Sequence, residues 1–432
     1  MSAALNALAY DIAVSHPIRM PHAQLPAHTK RPPHHLNDTA TKFTNPWDSF
    51  RLQSTSQWLS FVWDTLTEHP EVPSNVPSLI PTQKPTWGTE FGEGSIKATW
   101  LGHACYLVEL PTPKGAARGP RIIFDPVFSH RCSPFASIGP ARFTPPPCTM
   151  EEIPSVDAIV LSHNHYDHTD TATLKTLLKN YNPHVFAALG NHPYLSCLGF
   201  QDSHIHTMDW WEASEISLSL PSFDFLNVDR KPIPSEASTQ PSSNESLIKI
   251  TTKFKVTCTP CQHVSSRTPF DRWQTLWASW TVEEIFDEDQ KLDYEVRTDN
   301  QDFQNRNGRK VYFAGDTGYR TVLPGEDEDK VPVCPAFKEI GDKIGPFDLA
   351  LIPIGAYAPR GMWSNLHAHP KDSVDIFKDV KAKKALAMHW GTWILTTEPI
   401  MEPPEALREE CKKASIPQEL FDICGLGETR AF

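Results

Sequence analysis

A chain of 432 residues has room for two or three average domains, or for one large sandwich with insertions. A net charge of −12 and a pI near 5.9 argue against a protein that coats nucleic acid, so no nucleic-acid partner is expected. No apolar run approaches the roughly 18 residues that a membrane-spanning helix needs. The 9 cysteines, odd in number and without framework spacing, suit a reducing compartment better than a secreted disulfide scaffold.

In chain order, residues 1–42 read as a flexible leader rich in Pro, His and Ala. Its first 14 residues are mildly apolar but carry no basic residue ahead of the apolar stretch, unlike a secretory signal. Arg19, Lys30 and Arg31 hint at an organelle transit segment. The expected location is intracellular, cytoplasmic or mitochondrial. Residues 43–95 form an N-terminal segment that opens on Asn45-Pro46-Trp47 and shows helix-like apolar spacing over 58–66. Trp47, Phe50, Trp58, Leu59, Phe61 and Trp63 could dock on a membrane or bury against the body. Recurrent prolines mark a connector over 70–85.

The catalytic body is predicted over 96–432, with strands at 98–101, 105–110, 121–124 and 158–161. A helix is predicted at 171–180, with Leu174, Leu177 and Leu178 on one face. A β-rich run follows at 248–258, and the strand near 311–314 ends in Gly315-Asp316. Cys258-x-x-Cys261 has no second pair to make a zinc ribbon and reads as strand-end packing. Insertions at 233–246, 283–309 and 321–332 read as solvated loops, the last two acidic.

The densest chemistry is His163-Asn164-His165-Tyr166-Asp167-His168, directly after the apolar run at 156–161. Nothing in folding asks for three imidazoles and a carboxylate where a strand leaves the core; a divalent metal does. The plainer reading is a polar loop in a chain that carries 19 histidines. One ion takes three or four ligands with a position left open, so this cluster and further donors downstream suggest two ions.

The pattern His-x-His-x-Asp-His resembles that of the metallo-β-lactamase superfamily. The resemblance implies an α/β fold, an αββα sandwich of two facing mixed β-sheets with outer helices. It also implies a ligand set: His163, His165 and His263 on one ion, Asp167, His168 and His389 on the other, and Asp316 bridging. The flanks narrow it further. Trp100-Leu101-Gly102-His103-Ala104, Phe124-Asp125-Pro126, Gly139-Pro140-Ala141-Arg142-Phe143, Asp209-Trp210-Trp211-Glu212, Gly345-Pro346-Phe347-Asp348 and His389-Trp390-Gly391-Thr392 occur in that order. The series is similar to that of the N-acylphosphatidylethanolamine-hydrolysing phospholipase D family and covers roughly 43–430.

That family implies a peripheral membrane phosphodiesterase with two divalent ions, zinc the best suited, and a phospholipid substrate; a homodimer is compatible with it. Asp316, Asp167 and His389 would be catalytic. Asp125 and His103 would support the ligands, with His103 close to Asp125, and His367 and Tyr166 would face the substrate. Leu366 stands where the family carries Gln, and His369 where an acidic residue or Asn is usual. Two alternatives stay open: another dinuclear hydrolase of lactonase or thioesterase type, or a hydrolase of a specialised metabolite. No Gly-x-Ser-x-Gly elbow is present. A silent scaffold is disfavoured because every candidate ligand is retained.

Overall fold

The computed structural model describes residues 11–21, 31–54, 70–135, 137–222, 249–286 and 308–432. Short runs of Val, Ile, Leu and Phe, too short for stable helices, become strands buried on both faces. The strands are β1 (Ile12–Val14), β2 (Ile18–Arg19), β3 (Lys97–Gly102), β4 (Cys105–Glu109), β5 (Arg121–Phe124), β6 (Ala158–Leu161), β7 (His184–Ala188) and β8 (Ile205–Met208). They continue with β9 (Glu212–Pro221), β10 (Lys249–Thr259), β11 (Ser279–Ile285), β12 (Lys310–Phe313), β13 (Leu349–Pro353), β14 (Ala385–Met388), β15 (Phe421–Asp422) and β16 (Thr429–Ala431). The longer helices are α1 (Thr171–Tyr181), α2 (His192–Leu198), α3 (Ala336–Lys343), α4 (Pro370–Asp379) and α5 (Glu402–Lys413).

Among the described residues, one sheet has 7 strands in the order β16-β3-β4-β5-β6-β7-β8, and the other has 9, β1-β9-β10-β11-β12-β13-β14-β15 with β2 also on β9. Each is antiparallel at one end and parallel at the other, through β5 to β8 and β12 to β15. The facing sides close over one apolar core: Phe124 of β5 lies 4.7 Å from Phe313 of β12, and Trp280 of β11 donates to the Leu161 carbonyl of β6 at 3.0 Å. Leu174, Leu177 and Leu195 of α1 and α2 cover the outside of the first sheet. α4 packs on β13 between α3 and α5. This is the expected two-sheet α/β sandwich with outer helices.

The leader requires a correction. Part of it is pinned to the second sheet: β1 pairs with Ile216–Leu218 of β9, and β2 with its first two residues. His34, His35 and Phe43 are buried. The clasp is electrostatic. Asp209 accepts from Arg19 at 2.5 Å and pairs with His34 Nε2 at 2.6 Å, with His35 Nε2 3.1 Å away. Burial pushes the Asp209 carboxyl upward, but the imidazoles of His34 and His35 outweigh it and hold the group well below the usual carboxylate range. A depressed carboxylate contributes stability above its unfolded pKa of about 3.9, and that contribution is lost as pH falls below it. Asp209→Asn is therefore expected to be less stable at neutral pH by about 3 kcal/mol, since it removes the buried carboxylate that Arg19, His34 and His35 share. Its denaturation midpoint should also fall less steeply than the wild type's below about pH 4. Parallel acid-side slopes in urea titrations would count against the clasp.

Parts of the N-terminal segment pack on the body: Phe43, Val76 and Ile80 are buried. Trp47 stacks on Trp210 at 5.4 Å, and Phe50 meets Trp273 edge-on at 5.9 Å, so these two serve the core rather than a docking face. Trp58, Leu59, Phe61 and Trp63, and the helix expected over 58–66, lie outside the described residues, as does the insertion at 233–246. The insertion at 283–309 starts too early, because Glu283, Glu284 and Ile285 belong to β11; residues 287–307 are outside the described set. The acidic loop at 321–332 is not merely solvated. Arg51 grips Glu326 at 2.6 and 2.7 Å, and Lys371 holds Glu328 at 2.8 Å and Asp329 at 2.6 Å. Thr321 and Val322 at its start are buried.

Candidate metal centre

The site forms where strands of both sheets end. The motif 163–168 leaves β6, Asp125 follows β5, His263 lies beyond β10, Asp316 follows β12, His389 follows β14, and His103 sits in the β3–β4 turn. Bringing six strand ends to one point demands sharp backbone, and the structure supplies it. His103, Asp125 and His389 adopt left-handed conformations with φ of 53°, 39° and 62°. Such backbone costs on the order of 1–3 kcal/mol per non-glycine residue and persists only where surroundings impose it. Gly315 is needed for the same reason: at φ +59° a Cβ would come within 2.6 Å of the Ser162 Cβ.

The donors fall into sets that share a carboxylate. His163 Nε2 lies 2.8 Å from His165 Nδ1, and His263 Nε2 lies 3.4 Å from the same atom. On the other side, Asp167 Oδ2 is 3.1 Å from His103 Nε2, 3.4 Å from His168 Nε2 and 3.6 Å from His389 Nε2. Asp316 Oδ2 stands between them, 2.9 Å from His389 Nε2, 3.1 Å from His168 Nε2 and 4.0 Å from His263 Nε2. In each set, His163–His165–His263 and His103–Asp167–His168–His389, the donor atoms lie within 4.8 Å of one another.

Hydrogen bonds behind the rings fix which nitrogen faces inward. His168 Nδ1 bonds Asp125 Oδ2 at 2.6 Å, so its Nε2 carries the lone pair. Ser162 donates its hydroxyl to Asp125 at 2.6 Å and is left to accept from His163 Nδ1 at 2.9 Å, which frees His163 Nε2 in the same way. His263 Nδ1 donates to the Leu366 carbonyl at 3.0 Å. One buried carboxylate, Asp125, thus orients His168 directly and His163 through Ser162.

These inward atoms are unsatisfied. His168 Nε2, His389 Nε2 and both Asp316 oxygens are buried without a hydrogen-bond partner, despite approaches as close as 2.9 Å. Buried polar atoms are almost always paired, so a converging set of orphans fits a cation-binding site. The electrostatics agree. Burial raises the Asp316 carboxyl, but His168 and His389 overcome it and hold it well below its usual range. Burial lowers His389, yet Asp316 and Asp167 lift it to about 9. Imidazole and carboxylate donors suit zinc, iron or manganese. In another cluster, His34–His35–Asp209, the carboxylate is paired with the Arg19 guanidinium.

All the expected ligands meet at this point. His103 Nε2 lies 3.1 Å from Asp167 Oδ2, its ring sits beside His168, which Asp125 orients, and its backbone N–H donates to Thr392 Oγ1 at 2.7 Å. His367 borders the cluster, with an unpartnered Nδ1 3.8 Å from Asp316 Oδ2. Tyr166 turns its hydroxyl to the Arg267 carbonyl at 3.1 Å, with its ring 4.1 Å under that guanidinium, so it buttresses the loop. Both departures from the family pattern leave the ligand geometry intact. The Leu366 contact to His263 uses the backbone, and His369 caps α4, accepting from Lys371 N at 3.1 Å.

Sequence reasoning missed Ser162, Arg267 and Asn45. Asn45 brackets the backbone of His263, donating to its carbonyl at 2.7 Å and accepting from its N–H at 3.2 Å. Arg267 donates to the carbonyls of Asn164 and Thr169, both at 2.9 Å, on either side of the motif.

Residues 120–294 and 301–390, more than half the chain, match the family model for the beta-lactamase superfamily domain. Fold and site together define a metallo-β-lactamase-fold hydrolase. The chain is 31% identical over 352 residues to N-acyl-phosphatidylethanolamine-hydrolyzing phospholipase D 1 of Caenorhabditis elegans, covering 79% of this chain and 78% of that protein. It is 26% identical to the mitochondrial N-acyl-phosphatidylethanolamine-hydrolyzing phospholipase D of Saccharomyces cerevisiae, over 85% of this chain and 70% of that one. An uncharacterised Mycobacterium tuberculosis protein is 29% identical over 86% of this chain and 76% of its own length. The chain belongs to the N-acylphosphatidylethanolamine-hydrolysing phospholipase D family.

Proposed function

We propose that the protein is a two-metal phosphodiesterase of phospholipase D type that hydrolyses N-acylphosphatidylethanolamine to phosphatidic acid and an N-acylethanolamine. The observation that carries this reading is Asp316 Oδ2 standing between two sets of inward-facing donors. His163, His165 and His263 would hold one ion, and Asp167, His168 and His389 the other, with Asp316 shared and zinc the best-suited metal. When bound, two divalent ions activate water near neutral pH and neutralise charge on phosphoryl oxygens.

The chain's own residues do the rest. Asp125 and Ser162 keep His168 and His163 in the tautomer that presents Nε2. His103 steadies Asp167 Oδ2. His367 Nδ1 is free to bond a substrate oxygen beside Asp316. Water adds OH to phosphorus and its proton ends on the departing ethanolamine oxygen, so no protein nucleophile is required. The relatives named for this substrate support the choice of lipid. No helix among the described residues is long and apolar enough to cross a membrane. The phospholipid substrate and the relative named as mitochondrial support a membrane-surface location inside the cell.

The test is product analysis with zinc-loaded protein and vesicles containing N-acylphosphatidylethanolamine. Phosphatidic acid and N-acylethanolamine in equal amounts are expected. Release of free fatty acid, or activity confined to lactones or thioesters, would favour the carbonyl-hydrolase alternative.

A further inference from the structure

Two loops flank the open side of the metal centre, where His165, Tyr166 and Asp167 are partly exposed while their neighbours are buried. The loop at 128–142 is tied to this segment through Asp170, which accepts from Ser129 N at 3.0 Å, and through Trp393, which donates to the His130 carbonyl at 3.3 Å and packs on His103 at 4.9 Å. The loop at 264–273 is tied to it by Arg267. Both loops are closed at the base: Arg142 N bonds the His130 carbonyl at 2.8 Å, and Trp273 N bonds the Ser265 carbonyl at 3.0 Å.

The tips of these held loops are apolar. Phe135 is 61% exposed, Ile138 66% and Phe270 89%. A stiff loop gains nothing in water by presenting bare Phe and Ile; such residues fit an interface. The charge around them is unlike that of the chain. Residues 126–150 contain no Asp or Glu, within a protein of net charge −12; Arg131 stands half-exposed beside the first tip, while Arg142 is buried at the loop base, donating to the Ser129 and Val127 carbonyls. In the second loop Arg272 is exposed, whereas Asp271 is engaged by the backbone N–H groups of Arg267 and Thr268 at 3.0 and 2.7 Å. Apolar tips with basic flanks complement an anionic phospholipid surface, where aromatic and aliphatic side chains enter the interface and Arg stays at head-group level.

We infer that Phe135, Ile138 and Phe270 are the points at which the protein docks on an anionic bilayer, setting the metal centre against the head groups. The inference rests on the phospholipid reading above and replaces Trp47 and Phe50, which are half-buried against Trp210 and Trp273. Docking at both loops would hold the opening beside His165 and Asp167 against the membrane, so that substrate need not leave the bilayer.

The test is sedimentation of the metal-loaded protein with phosphatidylcholine vesicles, with and without phosphatidylglycerol, comparing wild type with the triple variant F135S/I138S/F270S. Partition onto phosphatidylglycerol vesicles should fall at least about tenfold, with hydrolysis of a short-chain, monomeric substrate unchanged. Wild type should bind the anionic vesicles better, and added salt should erode the difference. Vesicle binding needs no turnover, so it stands apart from the choice of substrate. As a check independent of the triple variant's folding, Phe270→Trp should add fluorescence that brominated lipid quenches. Undiminished partition of the triple variant, or an added Trp that is not quenched, would overturn the inference. So would a shift from dimer to monomer with vesicle binding intact, which would assign the patch to a second copy of the chain.

Discussion

Asp316→Asn is expected to abolish hydrolysis while leaving the sandwich folded. The substitution keeps shape and volume, so the core contacts of β12 are untouched. It removes the negative charge that faces His168 at 3.1 Å and His389 at 2.9 Å, and with it the donor shared by both sets. Loss of transition-state charge stabilisation of several kcal/mol corresponds to a fall in kcat on the order of 10³-fold or more. Metal content should fall from two equivalents towards one or fewer by elemental analysis. Asp167→Asn should weaken mainly the set that contains His168 and His389. Two retained equivalents with near-normal turnover in Asp316→Asn would reject the bridging role.

Asp125→Asn is expected to act at a distance from the ions. Asp125 is fully buried and accepts from Ser162 N at 2.7 Å, Ser162 Oγ at 2.6 Å and His168 Nδ1 at 2.6 Å. An amide at this position can turn an NH₂ towards His168 Nδ1, favouring the tautomer whose inward nitrogen carries a proton instead of a lone pair. The same change weakens the hold of Ser162 on His163. Metal affinity measured by chelator competition should drop about 10–100-fold, with the loss in turnover recovered in part by excess metal. Unchanged affinity would mean that Asp125 serves the strand-end turn alone.

How much of this could be read from sequence depended on how local the cause was. The strands at 121–124 and 158–161 and the helix from Thr171 were legible because uniform apolar runs and Leu spacing are local signals. The ligands were legible because their chemistry is costly anywhere except around a cation. Asn45, Ser162 and Arg267 were not, since each acts through partners that only folding brings near. The Asn45–His263 pair, for example, is 218 positions apart. The acidic loop at 321–332 was misread for the same reason: its cations come from Arg51, Arg360 and Lys371. The leader was misread because Asp209, which anchors it, lies far along the chain.

The decisive measurement is hydrolysis of N-acylphosphatidylethanolamine in ¹⁸O-labelled water by the metal-loaded protein, with mass analysis of both products. Attack of water on phosphorus between the two donor sets should place the heavy oxygen in the phosphate of phosphatidic acid and leave the N-acylethanolamine unlabelled. Label in the ethanolamine hydroxyl, or in a released fatty acid carboxylate, would contradict attack at phosphorus and with it the assignment of this site as a phosphodiesterase centre.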